Sequence, residues 1–208
     1  IYHQMLNNHW NNPRMLFSAL LPLTIGLVPN LRFRLLLALC VTIQLELPVL
    51  AQAQTTDVFQ LINERLGYME DVALYKAENN LPVEDLARES IVIENAVLAA
   101  ESAGLIGASI ENFFVSQIDD AKAIQYRSLA DWLSAPISRE IPDLENDIRP
   151  KLTELGDRIV AELALFLDAN GRIEEAQRES FHAQISVRNV STADKDRLFN
   201  SLLLVRIP

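Results

Sequence analysis

The chain has 208 residues, of which half are apolar and only six are glycine. This composition is typical of a mainly helical globular protein and excludes a disordered chain, because the apolar fraction is large enough for a core. The formal net charge of −10 at pH 7 argues against nucleic acid as a partner, because phosphate groups would be repelled.

The first 53 residues have the features of a leader that is removed from the mature protein. Arg32 and Arg34 precede an apolar run over residues 35–41, and a small-x-small cleavage motif ends at Ala53. We therefore predict a signal peptide, cleavage after Ala53 and a periplasmic or secreted protein. A second apolar stretch over residues 15–31 is interrupted by proline and glycine, which indicates a misplaced translation start rather than a membrane span.

Cleavage at that point would leave residues 54–208 as one domain with no membrane segment. The leader holds three arginines and one glutamate of the chain's 18 basic and 28 acidic residues, so the mature part has a net charge of −12. Cys40, the only cysteine, lies in the leader, and His182 is the only histidine outside it. Thiol nucleophiles, serine triads and zinc sites built on several histidines or cysteines are therefore excluded. We expect no metal and no cofactor, and we interpret His182 as a surface or packing residue.

The first part of the mature chain is predicted to form three long helices. Apolar residues at three-and-four spacing predict the first helix over about residues 57–80. Pro82 suits the first turn of a second helix, which continues to Gly104. A third helix is predicted to open near Ser109, as a candidate N-cap, and to continue to Leu133.

The remaining residues are predicted to form a connection and three further helices. Two prolines make residues 134–142 an irregular segment. The fourth helix would begin at Asp143 or Arg149, with Pro150 favouring the later start, and would end near Leu167. Two shorter helices would follow, over about residues 174–183 and 192–205. The sequence therefore predicts an all-α bundle of about six helices.

Two cations on the first predicted helix point to a site for an anion. Arg65 and Lys76 are 11 residues apart, which is three helical turns plus roughly 20°, so they share a face about 16 Å apart along the axis. Long side chains that lean toward each other would leave a gap the size of a small anion.

The next two helices add polar groups that could complete such a pocket. Asp85, Arg88 and Glu89 share a face of the second helix by their spacing. Gln125 on the third helix adds a neutral donor, and Arg149 lies near the start of the fourth. A pocket between these helices would contain cations, carboxylates and an amide.

Each of these residues also has an ordinary interpretation. Arg65, Lys76 and Arg88 could be solvated surface residues that bury only their aliphatic stems. The acidic residues near Arg88 could form surface ion pairs worth a few tenths of a kcal/mol. Gln125 could be a polar helix residue, and Arg149 could occupy a loop-to-helix junction. The residues alone leave both interpretations open.

Five sequence runs in a fixed order resemble one known family, over about residues 57–165 and in the leader as well. The runs are Arg65-Leu-Gly-Tyr-Met-Glu-Asp-Val-Ala-Leu-Tyr-Lys76, Leu81-Pro-Val-Glu-Asp-Leu-Ala-Arg88-Glu89, Gln117-Ile-Asp-Asp-Ala-Lys-Ala-Ile-Gln125-Tyr126, Ala130-Asp-Trp-Leu and Ile148-Arg149-Pro150. Together they resemble the secreted, all-helical chorismate mutases of the AroQ type, gamma subclass. The resemblance implies an isomerase that converts chorismate to prephenate by a unimolecular [3,3] shift, without a cofactor.

The resemblance also implies a role for each polar residue of the site. Arg65, Arg88 and Arg149 match the arginines that bind the carboxylates of the substrate, for which forked donors are suited. Lys76 and Gln125 match the two donors to the ether oxygen, where charge builds up as the bond breaks.

Asp85 and Glu89 match positions that orient the substrate hydroxyl and brace the cations. Ala121 stands where family members have a small hydroxyl residue, and Val92 stands where some have a polar contact. Lys122 is not included in the predicted site, because its angle on the helix relative to Gln125 is less favourable. The resemblance further implies homodimers in which each site is built from one chain.

Two other classes of function remain compatible with the residues. An exported helical protein that binds a small dicarboxylate without converting it would keep the arginines, but it would not need Lys76 and Gln125 to meet at one oxygen. A structural or interaction bundle would have its cations scattered and solvated.

Overall fold

The computed structural model describes residues 57–208, so the predicted leader and the cleavage point after Ala53 lie outside the described residues. Within this range the chain forms helices and no strand. The helices are α1 (residues 57–67), α2 (Met69–Glu78), α3 (Leu86–Ser102), α4 (Gly107–Ser134), α5 (Arg149–Asn170), α6 (Arg178–Gln184) and α7 (Thr192–Leu202). A π-helical turn, Leu144–Ile148, precedes α5, and a 3-10 turn, Glu175–Gln177, precedes α6.

The predicted all-α fold is confirmed, and three details of the helix boundaries differ from the prediction. The first predicted helix is interrupted at Tyr68, directly after Gly67, which is a poor helix former. Pro82 does not lie in a helix, because the N-cap of α3 is Asp85. Ser109 is not an N-cap but lies in the first turn of α4, where its hydroxyl donates to the carbonyl of Ile106. With α1 and α2 counted as halves of one helix, the six predicted helices are present.

Helix α4 is the central element and positions the site. It packs against α2, α3 and α7, while α3 also packs against α5. Its buried side chains are apolar along most of its length and include Phe113, Phe114 and Ile124. The same helix also buries Gln117, Asp120, Gln125 and Ser128, so a row of polar groups runs through the interior.

The C-terminal helices pack against the beginning of the described chain. Phe59 on α1 makes an edge-to-face contact with Phe181 on α6, with ring centroids 5.0 Å apart. Phe181 also contacts Phe199 on α7 at 5.3 Å. All three rings are fully buried. Residues 171–208, for which the sequence alone gives no specific position, therefore complete the core of their own chain.

None of the helices within residues 57–208 combines the length and the apolar character that crossing a bilayer requires.

Candidate active site

A cavity of about 930 Å³, including its open mouth, lies between α1, α2, α3, α4 and α5. All seven predicted site residues line it. They are Arg65, Lys76, Asp85, Arg88, Glu89, Gln125 and Arg149. The side chains that are far apart in the sequence therefore meet in one place, and Lys76 and Gln125 face the same cavity.

The lining of the cavity is positive although the chain is acidic. It contains five cationic side chains and three carboxylates, which leaves two positive charges in excess. Residues 54–208 have a net charge of −12. The cavity is thus a local exception that suits a doubly charged anion, because a concave site focuses the field of its own charges.

Arg65 is a buried cation without an anionic partner among residues 57–208. Its exposed fraction is 4%, and its guanidinium carbon lies 5.7 Å from the centre of the Phe114 ring. Burial, together with the smaller effect of the nearby charge of Arg88, lowers the pKa of Arg65 to about 10. The group remains charged at neutral pH. A buried charge is costly unless it is paired, so an anion that enters the cavity from solution would be stabilised by this arginine.

Arg88 is partly buried in the first turn of α3, and its guanidinium also has no ion pair within the described chain. The turn is fixed by Asp85, whose Oδ1 accepts a hydrogen bond from the backbone N–H of Arg88 at 3.1 Å. Glu89 accepts from the backbone N–H of Asp85 at 3.2 Å. These reciprocal bonds hold the start of the helix and point Arg88 toward the cavity.

Arg149 differs from the other two arginines because it already has carboxylate partners. Its Nη2 donates to Oδ2 of Asp85 at 3.1 Å, and its Nη1 donates to Glu145. It lies where the π-helical turn meets α5, with Pro150 next to it as the sequence suggests. Asp85 thus connects α3 with α5 across the cavity.

Lys76 is buried at the end of α2, with an exposed fraction of 8%. Its Nζ donates to the backbone carbonyl of Val83 at 2.6 Å, which leaves two of its three hydrogens for other acceptors. Burial is the main cause of a lowered pKa at Lys76, and the charge of Arg149 adds to the lowering, while Asp85 and Glu89 oppose it.

Gln125 lies on α4 and is 4% exposed. Its Nε2 donates to the carbonyl of Ala121 at 3.1 Å, one turn earlier on the same helix. Its Oε1 is buried without a partner among the described residues. The bond to Ala121 fixes the amide, and one amide hydrogen remains available for a ligand.

Lys122, which the predicted site does not include, is a further cation of the cavity lining. It lines the cavity, and its Nζ lies 3.2 Å from Oε2 of Glu89 on α3. Its ammonium also lies 3.4 Å from Oδ1 of Asp119 on α4, so two carboxylates hold it, one of them on the neighbouring helix.

The sequence reasoning also missed three polar residues of the cavity lining. They are Asn95, Thr153 and Asp157. Asn95 follows Arg88 by seven residues, and Thr153 and Asp157 follow Arg149 by four and eight, so helical spacing from the predicted arginines could have found them. The two departures from the family pattern, Val92 and Ala121, both line the cavity as apolar side chains.

The described chain contains no group of three or more histidine, cysteine, aspartate or glutamate side chains arranged to bind a metal ion.

Comparisons with known proteins identify relatives of the chain. Residues 55–126 match the family model described as chorismate mutase type II. The chain is 43% identical over 163 residues to the secreted chorismate mutase of Yersinia pestis, a match that covers 78% of this chain and 87% of that protein. It is 35% identical over 142 residues to the monofunctional chorismate mutase of Enterobacter agglomerans, covering 68% of this chain and 77% of that protein.

A solved structure has the same arrangement of helices. The crystal structure of the secreted chorismate mutase from Yersinia pestis is similar to this chain with a TM-score of 0.67 and 42% sequence identity. The similarity covers 73% of this chain and 97% of that structure.

Proposed function

The chain belongs to the type II chorismate mutase family, and we propose that the cavity between α1, α2, α3, α4 and α5 is where it isomerises chorismate to prephenate. The chain is a chorismate mutase. The roles of its residues, which follow, are inferred from the geometry of the cavity and from the chemistry of the reaction.

The observation that carries this proposal is the pair of unpaired arginines. Arg65 and Arg88 line one cavity, and neither has an ion pair within residues 57–208. Chorismate carries two carboxylates, and a guanidinium can bind a carboxylate through two parallel hydrogen bonds. Arg149 adds a third forked donor at the rim. Clamping both carboxylates would hold the substrate in its compact pseudo-diaxial form, so that the reacting carbons lie close together.

Lys76 and Gln125 would stabilise the ether oxygen as its bond breaks. Both line the cavity, and each has hydrogens that its protein partner does not use. Each is also held in place, Lys76 by the carbonyl of Val83 and Gln125 by that of Ala121. Donors that are fixed before the reaction stabilise developing charge more than they stabilise the ground state, and this difference lowers the barrier.

Asp85 and Glu89 would accept a hydrogen bond from the substrate hydroxyl and keep the cations apart. Asp85 is bound to Arg149, and Glu89 is bound to Lys122. These ion pairs place carboxylates next to two cations at the cavity, so the free positive charge is concentrated at Arg65, Arg88 and Lys76.

The enzyme is periplasmic or secreted, as is indicated by the name of its Yersinia pestis relative. We propose that residues 1–53 are the leader that directs export and that the mature protein begins at Gln54. The mass of the exported protein, measured by mass spectrometry, would contradict this boundary if it included residues before position 54.

We propose that the mature enzyme is a homodimer in which each chain holds a complete site. The seven predicted site residues line one cavity within a single chain. Several leucines are exposed and available for an interface, with Leu133 at 89% and Leu86 at 72%. We expect sedimentation analysis to give twice the chain mass and specific activity to be unchanged on dilution below the dissociation constant. Activity that is lost on dilution would show that the site needs the partner.

The proposed function is tested by an assay of purified residues 54–208 with chorismate. Loss of the ultraviolet absorbance of chorismate, together with the appearance of prephenate, is the expected result. Binding of chorismate without turnover would instead support a protein that captures a small dicarboxylate.

A further inference from the structure

Gln117 is a fully buried glutamine on α4 that contacts Arg65 from outside the cavity. Its exposed fraction is 0%, and its Oε1 accepts a hydrogen bond from Nη1 of Arg65 at 3.4 Å. It does not line the cavity. A ligand in the cavity would meet the guanidinium of Arg65, and the glutamine would lie behind it.

The chemistry of this contact is unusual for a buried arginine. A carboxylate would be the strongest partner for a guanidinium, and Arg149 in the same cavity has two of them. Arg65 has a neutral amide instead, at 3.4 Å, which is longer than the usual range of about 2.7–3.2 Å for such a bond. Such a partner can orient the guanidinium, but it leaves the full charge of the guanidinium for an anion in the cavity.

A second buried polar group lies one turn from Gln117 on α4. Nε2 of Gln117 and Oδ2 of Asp120 are both buried, and neither has a partner among the described residues. The two residues are three apart on one helix, the spacing at which glutamine and aspartate side chains pair. Asp120 is itself bound to Arg197 on α7. Nε2 of Gln117 and Oδ2 of Asp120 do not bond to each other, so the contact with Arg65 is the hydrogen bond that the Gln117 side chain makes within the described residues.

We propose that Gln117 is a positioning residue for Arg65, neutral by necessity, which holds the guanidinium for a substrate carboxylate without competing for its charge. The proposal deepens the proposed function and rests on it for the identity of the carboxylate. The charge of the side chain at position 117, in addition to its shape, would then determine how well the enzyme binds chorismate.

The test is a comparison of Gln117→Glu with Gln117→Met. Glutamate has the shape of glutamine but would form an ion pair with Arg65, so we expect KM for chorismate to rise about tenfold or more at pH 8, with a smaller change in kcat. Because the ion pair keeps the pKa of this carboxyl group low, the rise in KM should persist at pH 5. Methionine removes the acceptor without adding a charge, so its smaller increase in KM should not depend on pH.

The Tm of the protein without chorismate is a second readout. Gln117→Glu should have a favourable effect on Tm, whereas its effect on binding should be unfavourable. A carboxylate beside Arg65 would have a lowered pKa in the folded protein, so its stabilising effect is present above the pKa of the unfolded chain and is lost as the pH falls. We therefore expect a higher Tm for Gln117→Glu than for Gln117→Met at pH 8, with a smaller difference at about pH 3, below the pKa of the unfolded carboxyl group. A purely structural role would lower Tm and affinity together.

Asn112→Asp is the matched control, because it makes the same amide-to-acid change at an exposed position of α4 that does not line the cavity. It should leave KM unchanged at both pH values. Equal effects of glutamate and methionine on KM at both pH values would overturn the proposal, as would failure of Gln117→Glu to fold. The thermal comparison contains no chorismate, so it tests the contact between position 117 and Arg65 even if the native protein proves inactive. Inactivity of the native protein would reject the proposed function alone.

Discussion

Lys76→Ala is expected to lower kcat by on the order of 10² or more, by analogy with the loss of one donor to a developing oxyanion. The ammonium is buried and fixed at the cavity, and the proposed reaction places negative charge on the ether oxygen next to it. KM should change less than kcat, because the carboxylates are assigned to the arginines. The measurement is the initial rate of chorismate loss at saturating and at low substrate concentration.

Lys76→Met separates the charge from the packing of the side chain. Methionine keeps most of the buried stem, so a similar loss of kcat in this variant would assign the effect to the ammonium group. Lys151→Ala removes an exposed lysine of α5 that pairs with Glu154, and it should leave kcat unchanged. A kcat for Lys76→Met within about threefold of the native value would contradict the assigned role, since removal of one such donor costs far more.

The pH dependence of the native enzyme follows from the same residue. Burial lowers the pKa of Lys76 below its ordinary value, so the charged donor is present in acid and at neutral pH and is lost as the pH rises through the lowered pKa. We expect kcat/KM to be level across neutral pH and to fall on the alkaline side. The part of this fall that Lys76 causes should be absent in Lys76→Met, which would keep only the fall that follows the loss of the Arg65 charge near pH 10.

The sequence identified side chains that line one cavity, but it placed the ends of the helices less accurately. Arg65 and Lys76 were placed on one continuous helix, but the break at Tyr68 divides it, and both residues still line the cavity. Helical phase over three turns is little affected by one irregular residue. Helix starts depend on which side chain reaches the first free N–H groups, and at α3 Asp85 does so in place of Pro82.

Residues that depend on contacts between helices were harder to predict. Lys122 lies at the cavity because it pairs with Glu89 on a different helix, and no periodicity within α4 indicates that partner. Gln117 could have been noticed, since Gln117, Ala121 and Gln125 follow each other at intervals of four along one face. The proposed role of Gln117 depends on its contact with the guanidinium of Arg65. This contact is visible only once α1 is packed against α4.

Gln125→Glu is expected to make the enzyme dependent on acid. An amide can donate a hydrogen bond at any ordinary pH, whereas a carboxyl group can donate to the ether oxygen only when it is protonated. The ionised form would also place a negative charge where the transition state builds one. At pH 8 we expect kcat to fall by on the order of 10² to 10³, with a gain of about tenfold for each unit of pH lowered while the carboxyl group is mostly ionised.

The comparison variants for position 125 separate donation from the presence of an acid. Gln125→Ala removes the donor entirely, so its loss of kcat should be similar at all pH values between 5 and 8. Gln60→Glu makes the same change at an exposed position of α1 and should follow the native profile. A Gln125→Glu enzyme that is as fast as the native one at pH 8 would show that the amide does not donate to the breaking bond, because the ionised carboxylate at that position has no hydrogen to offer. Lys76 would then be the only donor from this pair, and the proposed stabilisation of the ether oxygen by two groups would have to be abandoned.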